Sequence, residues 1–377
     1  MTLKVADLFC GTGGFSYGFA QVGQFEVVFG VDIKSSSVKT FSANHQHAYA
    51  VCQDIRQIRV REIAEKLGVG PGGIDVVIAG PPCQGFSSIR PYRSINEDDQ
   101  RNNLFEQLTI FVDFFRPRFV VFENVVGLFH HKGGQILEGI KQAFEALGYS
   151  VNVDVLSAVS FGVPQKRERV ILLARRGTRK SSFPLPTHHY NGRSMAGRLS
   201  SAPPLLFTSD LPLAVTVAEA ISDLPPIEAG EASTEYLSDV KLTDYEQERR
   251  KNSATLTLHS ATKHTPRMLE IIRQAGTNRW ALPDGLTTSG FSTCYSRLDA
   301  DEPSSTITVN FVHPASNRCI HPTQNRALTP REGARLQSFD DNFKFCGSRT
   351  EIVKQIGEAV PPLLGKALAY AVLEQWE

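Results

Sequence analysis

Six apolar runs punctuate the first half of the chain: LKVADLF at 3–9, EVVFGVD at 26–32, IDVVIAG at 74–80, RFVVFENV at 118–125, VNVDVLSA at 151–158 and RVILLAR at 169–175. Several are apolar at almost every position, as strands covered on both faces of a parallel sheet must be. Between them, RQIRVREIAEKLG (56–68), NLFEQLTIFVDFFR (103–116) and GGQILEGIKQAFEALG (133–148) read as helices. Strand–helix alternation of this kind predicts an α/β fold, a doubly wound and mostly parallel sheet.

The pattern changes near residue 177. Residues 177–325 are rich in Ser, Thr, Pro, Gly and His, with short irregular apolar pieces, and predict a second, smaller domain of loops and short strands. Regular helical character returns in LTPREGARLQSF (328–339) and in TEIVKQIGEAVPPLLGKALAYAVLEQW (350–376). Pro361-Pro362 in the second stretch predicts a short helix, a break and a longer helix. The division is therefore 1–176, 177–325, a connecting segment 326–349 and C-terminal helices 350–377.

Composition narrows the class. The chain has 377 residues, 41% hydrophobic and 21% charged, enough for a large core and a second lobe. It has no apolar run of about 18 residues, so no membrane span is expected, and no signal-peptide pattern. Cysteines stand at 10, 52, 83, 294, 319 and 346, with no CxxC pair and no zinc-like spacing. Free thiols in a reducing cytoplasm, and no metal, are the expectation. The net charge of +1 neither demands nor excludes a nucleic-acid partner, although residues 161–180 hold seven Lys/Arg against one Glu.

Candidate chemistry gathers at the ends of the apolar runs. DLFCGTGGF (7–15) follows the first run, and Gly11, Gly13 and Gly14 would allow a tight turn and close approach of a ligand. The spacing is too compressed for G-x-G-x-x-G, and there is no Walker lysine. Asp32 closes the second run, where a carboxylate suits ribose hydroxyls; Asp54 follows at a third strand end that could reach an adenine. A turn-forming role for Asp32 and a helix-capping role for Asp54 compete with these readings. Cys83 follows Pro81-Pro82, a rigid shoulder that suits a side chain that must be aimed, but a buried structural thiol fits as well. Glu123 ends another buried run on the same rim. Arg167 and Arg169 in QKRERV alternate onto one face, available for phosphate contact or simply a solvated edge.

DLFCGTGGF, AGPPCQGFS, VVFENV, QKRERV, LTPREGARLQSF and GEAVPPLLGKAL occur in this order, and together they resemble the DNA (cytosine-5)-methyltransferase family of the prokaryotic restriction–modification type. The resemblance spans most of residues 3–176 and 326–375 and implies an S-adenosylmethionine-dependent methyltransferase fold with a DNA-recognition domain between. It implies transfer of a methyl group from S-adenosylmethionine, leaving S-adenosylhomocysteine, to carbon 5 of a flipped-out cytosine. Cys83 would attack C6, Glu123 would assist at N3, and Arg169 would contact O2 with Arg167 in support. Phe9 would pack on the adenine, with Asp32 at the ribose, Asp54 and Ile55 at the adenine, and Gly11, Gly13, Gly14 and Pro81 at the amino-acid end. The segment 84–102, with Arg90 and Arg93, would form a mobile lid. In the last motif Glu358 stands where the family often has Asn, losing an amide donor near the cofactor. The implied partner is double-stranded DNA, acted on by a monomer in the cytoplasm, nucleoid-associated, alongside a cognate restriction endonuclease. A tRNA cytosine-5 methyltransferase and a catalytically silent DNA-binding module are the competing classes. A dehydrogenase would leave PPCQ, ENV and QKRERV unassigned.

Overall fold

The computed structural model describes residues 2–82, 104–129, 134–192, 194, 210–283, 285–287 and 293–376. The first lobe runs β1 (Leu3–Leu8), α1 (Gly14–Ala20), β2 (Phe25–Asp32), α2 (Ser35–Asn44), β3 (Tyr49–Cys52), α3 (Val60–Leu67), β4 (Val76–Ala79), α4 (Leu104–Phe115), β5 (Phe119–Val125), α5 (Gln135–Ala146), β6 (Tyr149–Ser157), β7 (Gln165–Lys166) and β8 (Glu168–Arg176). Seven strands form one sheet in the order β3-β2-β1-β4-β5-β8-β6. All six apolar runs are strands of it.

The pairs among β1 to β5 are parallel, whereas β8 lies antiparallel to both β5 and β6. The short link from β6 to β8 explains this reversal, because a parallel return needs a crossover of a dozen or more residues. Alternate side chains feed two cores. Ala6, Leu8, Val77, Val120, Phe122 and Leu172 face α3, α4 and α5. Val5, Val76, Ile78, Phe119, Val121 and Ile171 face the other way, toward α1 and the C-terminal helix. Burial on both faces is what the near-continuous apolar runs demand.

Two helices were not among the expected elements, and of β3 only its end before Asp54 was. β3, YAVC, is a four-residue edge strand, half-buried and too short to show a period. α2 begins SSSVK and carries little propensity. α1, GFSYGFA, owes its stability to packing: a Cβ at Gly18 would lie 2.2 Å from the Pro362 carbonyl, so glycine lets two helices touch backbone to backbone. The helix expected over 56–68 starts only at Val60, after a 3-10 turn at Ile55–Gln57.

Beyond the sheet lie α6 (Val217–Ile221), α7 (Asp244–Arg250), α8 (Pro266–Gln274), β9 (Ser304–Ser305), α9 (Pro330–Leu336), α10 (Arg349–Glu358) and α11 (Pro362–Glu374). α10 and α11 are the expected short and longer helices, parted at Pro361. Residues 349–374 are long and apolar enough by composition to cross a membrane, but 61% of their most apolar window is buried against protein. A third core draws on Val217, Leu256, Leu298, Phe311, Leu336 and Ile356, so the irregular region, α9 and α10 share one interior. β9 pairs with β7, fastening that region to the rim of the sheet.

Candidate active site

The C-terminal ends of β1, β2, β4 and β5 open into a cavity of about 680 Å³, where ligands of open α/β sheets bind. Its walls come from the glycine loop after β1, the ends of β2 and β5, the Gly80-Pro81-Pro82 shoulder, residues 306–309 and the end of α10.

The loop after β1 is held in unusual backbone conformations, with φ of 60° at Phe9, 51° at Gly11 and 81° at Gly13. Its glycines do different work. A Cβ at Gly11 would meet nothing within 4 Å, so conformation alone requires glycine there. A Cβ at Gly13 would lie 2.8 Å from the Phe41 ring and 2.9 Å from His45 Nε2, so Gly13 faces the protein behind the cavity and does not line it. Gly14 lines the cavity and would bring a Cβ to 2.8 Å from the Val360 carbonyl. Among the expected cofactor residues, Gly13 is thus the one set back from the wall.

Phe9, Asp32, Asp54, Ile55, Pro81 and Glu358 all line the cavity. Asp32 accepts from the Gly11 amide at 3.0 Å and from the Lys34 amide at 2.8 Å, tying the β2 end to the glycine loop. Burial raises its pKa, against the pull of these hydrogen bonds. Asp54 does what the competing reading expected: it caps the 3-10 turn through the Arg56 amide at 3.0 Å. It also ion-pairs with the Arg56 guanidinium at 2.5 Å, which lowers its pKa, and it faces the cavity as well. Glu358 is paired with Lys34 Nζ at 2.6 Å, so the carboxylate in the last motif has a cation of its own across the rim.

On the other side of the cavity, Glu123 Oε1 meets Arg169 Nε at 2.8 Å, and both residues line the wall. Gly80 stands beside them, its absent Cβ 3.4 Å from Glu123 Oε2. Asn124 donates to the Pro81 carbonyl at 3.2 Å, joining the end of β5 to the proline shoulder. Cys83, the segment 84–102, Arg90 and Arg93 lie outside the described residues.

Arg167 differs from one expectation. Its guanidinium does not stand free for phosphate; it donates to the carbonyls of Ile307 at 3.1 Å, Gly357 at 3.3 Å and Ala359 at 2.9 Å. Burial, then the nearby Arg169 charge, push its pKa down. Arg167 therefore clamps the irregular region and the α10 end onto the sheet, and reaches the cavity only from beneath. Gln165 does the same from β7, with Nε2 to the Leu336 carbonyl at 3.0 Å and the Ile307 amide to its Oε1 at 2.9 Å.

Lys34, Arg56, Asn124, Asp7, Thr12 and Thr306 also meet the cavity, and residue-by-residue reading did not single them out. Asp7 and Thr12 stand inside DLFCGTGGF, the one signal that pointed there. Asp7 Oδ2 and Thr12 Oγ1 are buried with no hydrogen-bond partner. Burial raises Asp7 to about 7. Orphaned polar atoms beside an open glycine loop fit a ligand that carries its own charged and hydrogen-bonding groups, as the amino-acid end of S-adenosylmethionine does. Among the described residues, no cluster of three or more His, Cys, Asp and Glu could hold a metal.

The sequence pattern of the family described as C-5 cytosine-specific DNA methylase matches residues 3–374. The chain is 34% identical to the Type II methyltransferase M.AgeI of Thalassovita gelatinovora, covering 98% of this chain and 99% of the relative. It is 35% identical to the Type II methyltransferase M1.HphI of Haemophilus parahaemolyticus, over 99% of this chain and 87% of the relative. Among solved structures, the fold matches an E. coli protein described as a putative DNA modification methyltransferase encoded within a prophage. That match has a TM-score of 0.75 and 24% identity, covering 99% of each chain. The Spodoptera frugiperda DNMT2 mutant follows at a TM-score of 0.62 and 16% identity, covering 99% of this chain and 100% of that one.

Proposed function

The chain belongs to the C-5 cytosine-specific DNA methylase family, and we propose that it works through a covalent adduct between Cys83 and carbon 6 of the target cytosine. It is an enzyme that moves a methyl group from S-adenosylmethionine to carbon 5 of cytosine in DNA. When bound, S-adenosylmethionine supplies an electrophilic methyl group.

The residues then divide the work. The Cys83 thiolate adds to C6 while Glu123 delivers a proton or hydrogen bond at N3, which turns C5 into an enamine-like carbon. C5 takes up the methyl group. Loss of the C5 proton to water, expulsion of the Cys83 thiolate and return of the N3 proton to Glu123 restore the aromatic ring. Arg169, 2.8 Å from Glu123, orients that carboxyl group and offsets charge at O2. Arg167 acts as a positioning residue, through the carbonyls it holds. Phe9, Asp54 and Ile55 frame the adenine, Asp32 the ribose, and Gly11, Gly14 and Pro81 the amino-acid end; Gly13 shapes the loop from behind.

The observation that carries this reading is the Glu123–Arg169 pair on the rim that Pro81 and Pro82 also border. We read 1–176 with 350–377 as the catalytic lobe, 177–325 as the recognition domain and 326–349 as the connection between them. A duplex with 5-fluorocytosine at the target blocks proton loss at C5. The expected result is a denaturation-resistant adduct that Cys83→Ser abolishes; its absence on the cognate duplex defeats the covalent route. The cognate sequence comes from methylation-sensitive sequencing of DNA from expressing cells. The Type II relatives support pairing with a restriction endonuclease in a prokaryotic cytoplasm, checked by whether expression protects DNA from one endonuclease specificity.

A further inference from the structure

Trp280 is 84% exposed, the most exposed large apolar side chain among the described residues. It sits on the 3-10 turn Arg279–Ala281, separated from α8 by residues 275–278. A single exposed apolar residue is ordinary when its loop is loose. This one is held out by three fixtures. Leu282, immediately after the turn, is buried with Ile271, Ile272 and Ile320. Gly276 packs against the turn so closely that a Cβ there would lie 2.7 Å from Ala281 Cβ. Arg297 straps the end of α8, donating to the Ile272 carbonyl at 2.8 Å and the Ala275 carbonyl at 2.9 Å, while its amide donates to the Gly276 carbonyl at 2.8 Å.

The chemistry around the tip is specific. Thr277 and Asn278, both exposed, precede Arg279 and Trp280, giving hydrogen-bonding groups next to an aromatic plane. From Lys263 to Trp280 the chain holds four Lys/Arg against one Glu, and Lys263, Arg267 and Arg273 are exposed. A cationic flank, short polar side chains and a protruding indole together match a phosphate backbone with base edges beside it. The chain continues from this platform through Arg297 and β9 into residues 306–309 of the cavity wall, so the platform belongs to the body that borders the reaction site.

We propose that the face formed by Thr277, Asn278 and Trp280, with its basic flank, is a contact surface for the duplex DNA substrate, and that Trp280 packs its indole against exposed bases or sugar. This rests on reading 177–325 as the recognition domain. The chain has only two tryptophans, and the other, Trp376, packs against Phe119 at 5.8 Å and Arg118 at 5.0 Å, so Trp376→Phe leaves Trp280 as the sole emitter. Titrating that variant with the cognate duplex should quench or shift its emission. If Trp376→Phe fails to fold, the difference between the wild-type and Trp280→Phe titrations carries the same signal.

Trp280→Ala should weaken duplex binding roughly tenfold, Trp280→Phe less, as loss of one aromatic–base contact does. Binding of S-adenosylhomocysteine, measured by calorimetry, should stay unchanged in both. Duplex binding with silent Trp280 emission and wild-type affinity in Trp280→Ala overturns this surface and leaves the recognition-domain reading standing. Cognate duplex that is bound and methylated by the wild-type protein while hydrogen exchange shows no added protection anywhere in 177–325 overturns both.

Discussion

In β4 and the first half of β5, VVIA and FVVF, every side chain is apolar and buried; in α9, PREGARL, Arg331, Glu332 and Arg335 are buried as completely. Two interiors of equal dryness are built from opposite materials. A sheet satisfies its own backbone, so its strands need nothing polar between them. The irregular lobe has loops whose carbonyls need donors, and an arginine brings five in a fixed fork. Arg335 reaches the Ala220 carbonyl at 3.0 Å, Arg331 the Thr257 carbonyl at 2.9 Å, and Arg326 the Ile227 carbonyl at 3.0 Å. Each of these charges is met by a carboxylate: Asp223 and Asp341 for Arg335, Asp341 for Arg331, and Glu332 for Arg326. Burial would raise Glu332, yet the Arg326 charge and hydrogen bonds hold it down to about 2. Arg167 and Arg297 extend the same device to the junction with the sheet and to the platform under Trp280.

The largest expected effect follows from breaking one such fork. Arg335→Ala leaves Asp223 and Asp341 buried without it and should cost about 3–5 kcal/mol. Denaturant titration reads the loss, and hydrogen exchange should localise it to 217–224 and 331–343 while β4 and β5 keep their protection. Protection lost evenly across both lobes would erase the contrast between the two interiors. Asp7 in β1 breaks this pattern in the sheet, a buried carboxyl whose Oδ2 has no hydrogen-bond partner. Its folded pKa, raised from 3.8 to about 7, makes the protonated form the stable one. That stability is complete below 3.8 and is lost as pH rises to about 7. The melting temperature of the cofactor-free protein should therefore carry a falling component across this window, and Asp7→Asn should remove it.

Smaller effects sharpen the comparison. Ile171→Val trims one buried methyl from β8 and should cost about 1 kcal/mol, indifferent to salt. At the cavity rim, Lys34 and Glu358 are half-exposed, with side chains 50% and 43% accessible. Their pair should contribute no more than about 1 kcal/mol. Calorimetry with S-adenosylmethionine should show less than about fivefold weakening in Lys34→Ala or Glu358→Ala, fading as salt is raised. Lys34→Glu with Glu358→Lys should recover the loss; two losses that simply add would mean that the contact plays no part.

Much of the sheet was legible in advance because period and run length are local properties. IDVVIAG and RFVVFENV could hardly be anything but buried strands, and strand ends in such a sheet place Asp32, Pro81 and Glu123 on one rim. The capping box at Thr329 with Glu332, and the break at Pro361, are local as well. α1 was illegible for the complementary reason: Gly18 is helical because Pro362 lies against it; of β3 only the end before Asp54 could be read, since YAVC is a strand because β2 is beside it.

What the chain determined by itself was therefore whatever depends on neighbours in sequence: the strands, the caps, the ordered motifs and the class of chemistry they resemble. Only the tertiary structure decided that Arg167 is a clamp, that Gly13 stands behind the cavity wall, that Glu358 is matched by Lys34 and that Trp280 is held outward. Arg167 finds its acceptors 140 to 192 positions away, and Glu358 meets Lys34 across 324. A guanidinium looks the same in a string of letters whether it will face solvent, phosphate or a row of carbonyls. Its partners are chosen by packing, and packing follows the path of the whole chain.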